Sequence, residues 1–169
     1  TFTEADGRLS VPAPAGTPFD TWISTFFPGE TDPAIIGKNA DPDGDGISNL
    51  AEFALNGSPN NGTNRGYQVT AIEDTNANTQ KELTLTIAVR KGGASPVFTG
   101  SPLSATSDGV KYTIEGSLNL TFPTSATSEA APATGPGGLP AEYEYRRFRL
   151  DASEGLTGKG FLRVKIESA

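Results

Sequence analysis

Residues Asp41 to Glu52, DPDGDGISNLAE, constrain this chain more than any other stretch. Carboxylates stand at positions 1, 3 and 5 (Asp41, Asp43, Asp45), glycine at 6 (Gly46), Asn49 at 9 and Glu52 at 12. Four acidic groups this close repel one another unless a cation sits among them. A tight loop aims alternate side chains at one point, and Gly46 permits the sharp turn between them. Such a loop suits a hard cation that takes six to eight oxygens at about 2.3–2.6 Å. The Ile47 carbonyl supplies position 7. Asn49 serves directly or through a water, and Glu52 clamps with both oxygens from the first turn of a following helix. The spacing therefore predicts a Ca2+ site on Asp41, Asp43, Asp45, Ile47, Asn49 and Glu52.

The stretch is a full match to the EF-hand calcium-loop pattern, yet its surroundings depart from an ordinary EF-hand. The entering helix does not run directly into Asp41. Position 8 is Ser48, where a paired hand carries an apolar residue. No second complete loop exists. Asp74, Asn76 and Asn78 repeat positions 1, 3 and 5, but the glycine and the closing acid are missing. That segment reads as a hairpin loop and only secondarily as a further calcium site. Asp32 and Asp151 are candidate interface ligands.

Composition removes several chemistries. The 169 residues include no Cys and no His, which excludes disulfides, zinc–thiolate sites and the usual general base. Glu142 and Glu144 are a conceivable carboxylate pair for glycoside chemistry, but beside Tyr143 and Tyr145 they read as a solvated edge. No enzyme is expected. The net charge of −7 lies wholly in the first third: nine acids against two bases through Gly57, and balance beyond it. Arg146, Arg147, Arg149, Lys159, Arg163 and Lys165 form a basic cluster near the other end. The overall sign disfavours nucleic acid, whereas ends of opposite sign attract one copy to the next. No apolar run approaches the ~20 residues of a membrane span. With no Met, Thr1 is expected to mark a processing or other artificial boundary, and a secreted chain is expected.

Taken in order, residues 1–18 form an N-terminal extension. Residues 1–16 are polar and turn-rich, and are expected to reach a neighbour as an added strand. Residues 19–57 form a helix–calcium loop–helix module. Thr17, Pro18 and Asp20 give a capping-box start, and Phe19, Trp22, Ile23, Phe26 and Phe27 share one apolar face. On that spacing Trp22 reads as core rather than as a sugar-stacking residue. Leu50, Phe53 and Ala54 mark a second helix, stopped by Asn56-Gly57. Residues 58–66 read as a linker. From Tyr67 the period becomes two, and residues 67–169 read as a β-sandwich. Leu83, Leu85, Ile87 and Val89 alternate with Thr84, Thr86 and Arg90. Val110, Tyr112 and Ile114 alternate with Lys111, Thr113 and Glu115. Phe148 and Leu150 alternate with Arg147 and Arg149, and Leu162, Val164 and Ile166 with Arg163 and Lys165. Residues 124–141 read as one long low-complexity loop.

The aromatic helix, the stretch DPDGDGISNLAEFAL and strands closing on RRFRL and GFLRVKI resemble a known module. It is the calcium-loop plus β-sandwich module at the C-termini of large secreted proteins of environmental bacteria. The calcium stretch alone is similar to dockerin and thrombospondin type 3 loops. A stand-alone chain of this kind resembles subunits of calcium-dependent extracellular tubules, which implies assembly through calcium and strand exchange. The expected fold is mainly β: an antiparallel β-sandwich preceded by a small helical EF-hand-like calcium-binding module. The expected function is an extracellular calcium-binding structural protein that self-assembles head to tail with copies of itself into a filament or tubule. The alternative is a calcium-stabilised carbohydrate-binding or adhesion module whose partner is an extracellular glycan.

Overall fold

The change of period after Tyr67 appears directly in the backbone. The structure is a computed structural model that describes residues 16–123, 127–130, 135–150 and 158–169. Three helices come first: α1 (Pro18–Phe26), the single turn α2 (Pro33–Ile36) and α3 (Asn49–Leu55). Seven strands follow: β1 (Gln68–Glu73), β2 (Glu82–Arg90), β3 (Leu103–Ser107), β4 (Val110–Ser117), β5 (Thr127–Ala130), β6 (Tyr143–Leu150) and β7 (Phe161–Ser168). They make two antiparallel sheets, of four strands in the order β1-β2-β6-β5 and of three in the order β3-β4-β7. The molecule is mainly β, and two antiparallel sheets sharing a core are compatible with a β-sandwich. No helix among the described residues is long and apolar enough to cross a membrane.

Local sequence explains where the helices start and stop. Thr17 Oγ1 accepts the Asp20 N–H at 3.2 Å while Asp20 Oδ2 accepts the Thr17 N–H at 2.8 Å, a reciprocal capping box. Asp32 caps α2 by accepting the Ala34 N–H at 2.8 Å. Asn56, in the left-handed region at φ 62°, ends α3.

The core is one cluster, not one per segment. Phe19, Ile23, Leu50, Phe53 and Leu55 from the helices join Leu85, Ile87, Val89 and Phe148 from the first sheet and Val110, Tyr112 and Ile114 from the second. Two buried tyrosines join α3 to both sheets. Tyr112 of β4 donates to the Ala54 carbonyl at 2.9 Å and accepts the Arg90 N–H at 3.1 Å. Tyr143 of β6 donates to the Phe53 carbonyl at 2.7 Å. Carbonyls in the last turn of a helix have no partner inside it, so these hydroxyls satisfy groups that burial would otherwise orphan.

Four expectations need correction. On β2, Leu85, Ile87 and Val89 are buried, but so are Thr84, Thr86, Ala88 and Arg90. β2 lies inside its sheet, and the long side chains of its β6 partners cover the second face. Arg147 lies opposite Thr86 and reaches Glu73 at 2.8 Å; Arg149 lies opposite Thr84 and reaches Thr75 at 3.0 Å and Ser128 at 2.9 Å. Second, the stretch read as one loop over 124–141 contains β5, which pairs with β6. Third, on β4 Thr113 and Glu115 are buried beside Val110, Tyr112 and Ile114, so its second face is covered too. Fourth, residues 58–66, read as a linker, fold back on the loop. Ser58 N–H donates to Asn64 at 3.0 Å, Gly62 lies against Asp43 and Asp45, and Tyr67 N–H returns to the Leu55 carbonyl at 2.7 Å.

The alternation of β7 holds: Leu162, Val164 and Ile166 are half-buried against the core, and Arg163 and Lys165 are exposed. Residues 1–15, with most of the extension expected to reach a neighbour, lie outside the described residues, as does Asp151.

Candidate metal centre

The loop from Asp41 to Glu52 is built by its own carboxylates. Asp41 Oδ1 accepts the N–H groups of Gly44 (3.0 Å) and Asp45 (3.2 Å), and its Oδ2 accepts that of Gly46 (2.9 Å). Asp43 Oδ1 accepts the Asp45 N–H at 3.3 Å, and Asp45 Oδ1 accepts the Ile47 N–H at 2.8 Å. Gly44 and Gly46 take φ of 75° and 88°, a region costly for side-chain-bearing residues. The two ends close on each other, since Asn49 N–H donates to Ala40 at 2.8 Å and Leu50 N–H to Lys38 at 2.9 Å.

These bonds engage both oxygens of Asp41 but only Oδ1 of Asp43 and of Asp45. Asp43 Oδ2, Asp45 Oδ2, Asn49 Oδ1 and both Glu52 oxygens are buried with no hydrogen-bond partner. Asn49 is oriented from behind: its amide donates to the carbonyls of Ile35 (2.8 Å) and Gly37 (2.9 Å), which leaves Oδ1 free. Oxygens from Asp41, Asp43 and Asp45 lie within 4.8 Å of one another. Oxygens sharing one calcium at about 2.4 Å stand no more than about 4.8 Å apart, so the spacing fits that ion. A buried polar group without a partner costs about 1–3 kcal/mol, and more when charged. Five such atoms around one loop could serve as donors to an oxygen-seeking cation.

Electrostatics point the same way. Burial first, then the charges of Asp43 and Asp45, raise the Glu52 pKa to about 7. The Ser58 N–H pulls the other way, but it is committed to the Asn64 carbonyl and does not hydrogen bond to Glu52. Glu52 is wholly buried on α3, one residue before Phe53 and two before Ala54, whose carbonyls hold the two tyrosines. The metal centre and the β-sheet core thus share one short helix.

The residues 58–66 contribute a feature that the loop pattern does not contain. Arg65 Nη2 donates to the Asp45 carbonyl at 2.9 Å. Its Nε stands 3.4 Å from Asp45 Oδ2 but is misaligned for a hydrogen bond. Nothing in a short Asn/Gly-rich stretch marks Arg65 in advance, because its contact depends on the chain doubling back.

The second candidate loop copies the first in backbone but not in donors. Asp74 accepts the N–H groups of Asn76, Asn78 and Thr79, Asn76 accepts that of Asn78, and Asn78 accepts that of Gln80. Ala77 and Thr79 take positive φ where Gly44 and Gly46 do in the first loop. Asp74 is exposed; burial tends to raise its pKa, but the Thr79, Asn76 and Asn78 amides outweigh it and hold the group below its usual range. The nearby acid, Glu82, accepts from both the amide and the hydroxyl of Thr75. No buried oxygen is left without a partner here. Asp32 is committed as a helix cap outside the first cluster. Glu144 is bound by Arg146 at 2.7 Å and by Ser95 at 2.7 Å, so it does not face Glu142 as an open partner.

Comparison with family models, with characterised proteins and with solved structures gives no significant match.

Proposed function

We propose that Asp41, Asp43, Asp45, Asn49 and Glu52, with the Ile47 carbonyl, hold one calcium ion. We further propose that the chain is an extracellular structural subunit that assembles head to tail with its own copies into a filament or tubule. One observation carries the metal reading: five buried side-chain oxygens without a hydrogen-bond partner belong to one twelve-residue loop. Calcium supplies charge neutralisation and a rigid anchor for α3, so folding of the helical module is linked to the ion.

The assembly reading draws on the uneven charge and on an open sheet edge. The first third carries the entire net charge of −7, and the later strands carry the arginines and lysines. β1 is the outer strand of the four-stranded sheet, has no Lys or Pro, and exposes Val69 and Ile72 by 46% and 58%. Edges of that kind pair with another chain unless protected. A heterologous contact that does not close makes an open fibre.

The test is calorimetric titration of chelator-stripped protein with calcium, followed by negative-stain microscopy in millimolar calcium and after chelation. Binding at one site per chain, and filaments that dissolve on chelation, support the proposal. No binding removes the metal centre. Binding with monodisperse particles in both conditions removes the assembly and leaves calcium as a staple of the fold.

A further inference from the structure

A groove away from the calcium loop has the chemistry of a ligand site. It lies between α1 and the start of β6 and encloses about 420 Å3. That volume falls within the ~300–1,000 Å3 range of small-molecule sites. α1 gives one face, with Phe19 and Ile23, to the core and turns Trp22 and Phe26, both half-buried, toward the groove. Buried Tyr143 also lines it, so three aromatic rings border one concavity, with the Trp22 and Phe26 rings 5.1 Å apart. Trp22 is thus packed on the core along one edge and open to a cavity on the other.

The polar groups of this groove are free. Among the described residues nothing accepts the Trp22 indole N–H; only its carbonyl is engaged, by Thr25. The Glu142 carboxylate is exposed and the Asn56 amide half-exposed, and neither has a side-chain partner among the described residues. An aromatic surface edged by a donor, an acceptor and a group that is both suits a ligand with an apolar face and several polar substituents.

Charge narrows the ligand class. Arg90 lines the groove, but its guanidinium is bound to Asp108 at 2.7 Å and lies 4.8 Å from the centre of the Tyr143 ring. It therefore offers no free site to an anion, and it already covers the Tyr143 ring, which leaves Trp22 and Phe26 as the open aromatic surfaces. Glu142 repels an anion as well. The Glu142 carboxylate and the Asn56 amide beside the open Trp22 and Phe26 rings suit a hydroxyl-rich molecule that donates and accepts at several points. We propose that this groove binds a neutral saccharide, with its C–H face on Trp22 and Phe26 and its hydroxyls on the Glu142 carboxylate and the Asn56 amide.

Trp22 is the only tryptophan in the chain, so its fluorescence reports on the groove without labelling. The experiment titrates the purified chain with neutral hexoses, N-acetylhexosamines and their oligomers, in millimolar calcium. Choline and glucuronate serve as cationic and anionic controls. The expected result is a saturable emission shift for a member of the neutral set below about 10 mM, weakened at least tenfold by Glu142→Ala. Asn56→Gly, which suits the left-handed backbone there, weakens it as well. Circular dichroism verifies that both variants fold. Saturation by choline or glucuronate alone, no saturable shift from any neutral sugar, or a shift unchanged in Glu142→Ala would each overturn the proposal. Because calcium binding is read separately by calorimetry, the saccharide and metal proposals fail independently.

Discussion

Replacing Glu52 by glutamine should move stability in opposite directions with and without calcium. This carboxyl is wholly buried and has no hydrogen-bond partner, and burial with the charges of Asp43 and Asp45 raises its pKa to about 7. A free glutamate titrates near 4.3, so keeping the group folded and partly charged at pH 7 costs on the order of 3 kcal/mol. Glutamine is nearly isosteric, carries no charge, and its amide can donate toward the neighbouring carboxylates. In chelator at pH 7, Glu52→Gln should therefore raise stability by about 1–3 kcal/mol, which corresponds to a melting temperature higher by roughly 2–10 °C in a chain of this size. With calcium the sign of the residue's contribution reverses, because the variant lacks the bidentate anionic ligand. A hundredfold loss of affinity removes about 2.7 kcal/mol of calcium-induced stabilisation. The measurement is scanning calorimetry of both proteins in chelator and in millimolar calcium. A variant that melts below the parent in chelator would refute the reasoning, as would one whose melting point rises as much as the parent's when calcium is added.

The same carboxyl sets a pH dependence. Its folded pKa is raised, so the calcium-free parent has this contribution in full below about pH 4.5 and loses it as pH rises through about 7; melts across that window should show the fall, and Glu52→Gln should abolish it. Tyr112→Phe orphans the buried Ala54 carbonyl and Arg90 N–H together and should cost about 2–4 kcal/mol, whereas Tyr143→Phe orphans one carbonyl and should cost about 1–2 kcal/mol, both read by urea denaturation. Gly66→Ala places a methyl group 2.7 Å from the Leu55 side chain and 2.9 Å from its carbonyl at a φ of 83°, so it should lower the melting point by several degrees, at a cost above ~1–2 kcal/mol. Calorimetry should find one tight calcium per chain, unchanged by Asp74→Ala, because the second loop leaves no buried oxygen unpartnered.

The helix boundaries and most of the strands were legible because each rests on local chemistry. The Thr17–Asp20 capping box and the αL stop at Asn56 involve contacts within a few residues. Alternation on β7 likewise depends only on which side of the strand is covered. β3 and β5 were missed, since LSATS and TSEA carry too few large apolar side chains to display a period. The covered second face of β2 was missed for another reason. Its cover is made by arginines of β6 more than fifty residues later, and a charged side chain that lies along a sheet buries its neighbours while reading as exposed in sequence.

The candidate metal site shows the same division more sharply. Twelve consecutive residues carry the candidate donors, so the side chains were readable; what leaves them buried and unpartnered was not. Asn49 keeps Oδ1 free because Ile35 and Gly37 hold its amide from behind, and burial together with the charges of Asp43 and Asp45 raises the Glu52 pKa. Among the described residues the cation seen against the loop is Arg65, whose side chain is 57% exposed and hydrogen bonds to a carbonyl rather than to the carboxylates. One misaligned guanidinium cannot satisfy five buried oxygens, and a solvated acidic turn would have left them in water. The loop supplies the charge and the fold buries it, and that combination, more than either part alone, supports the proposed divalent cation.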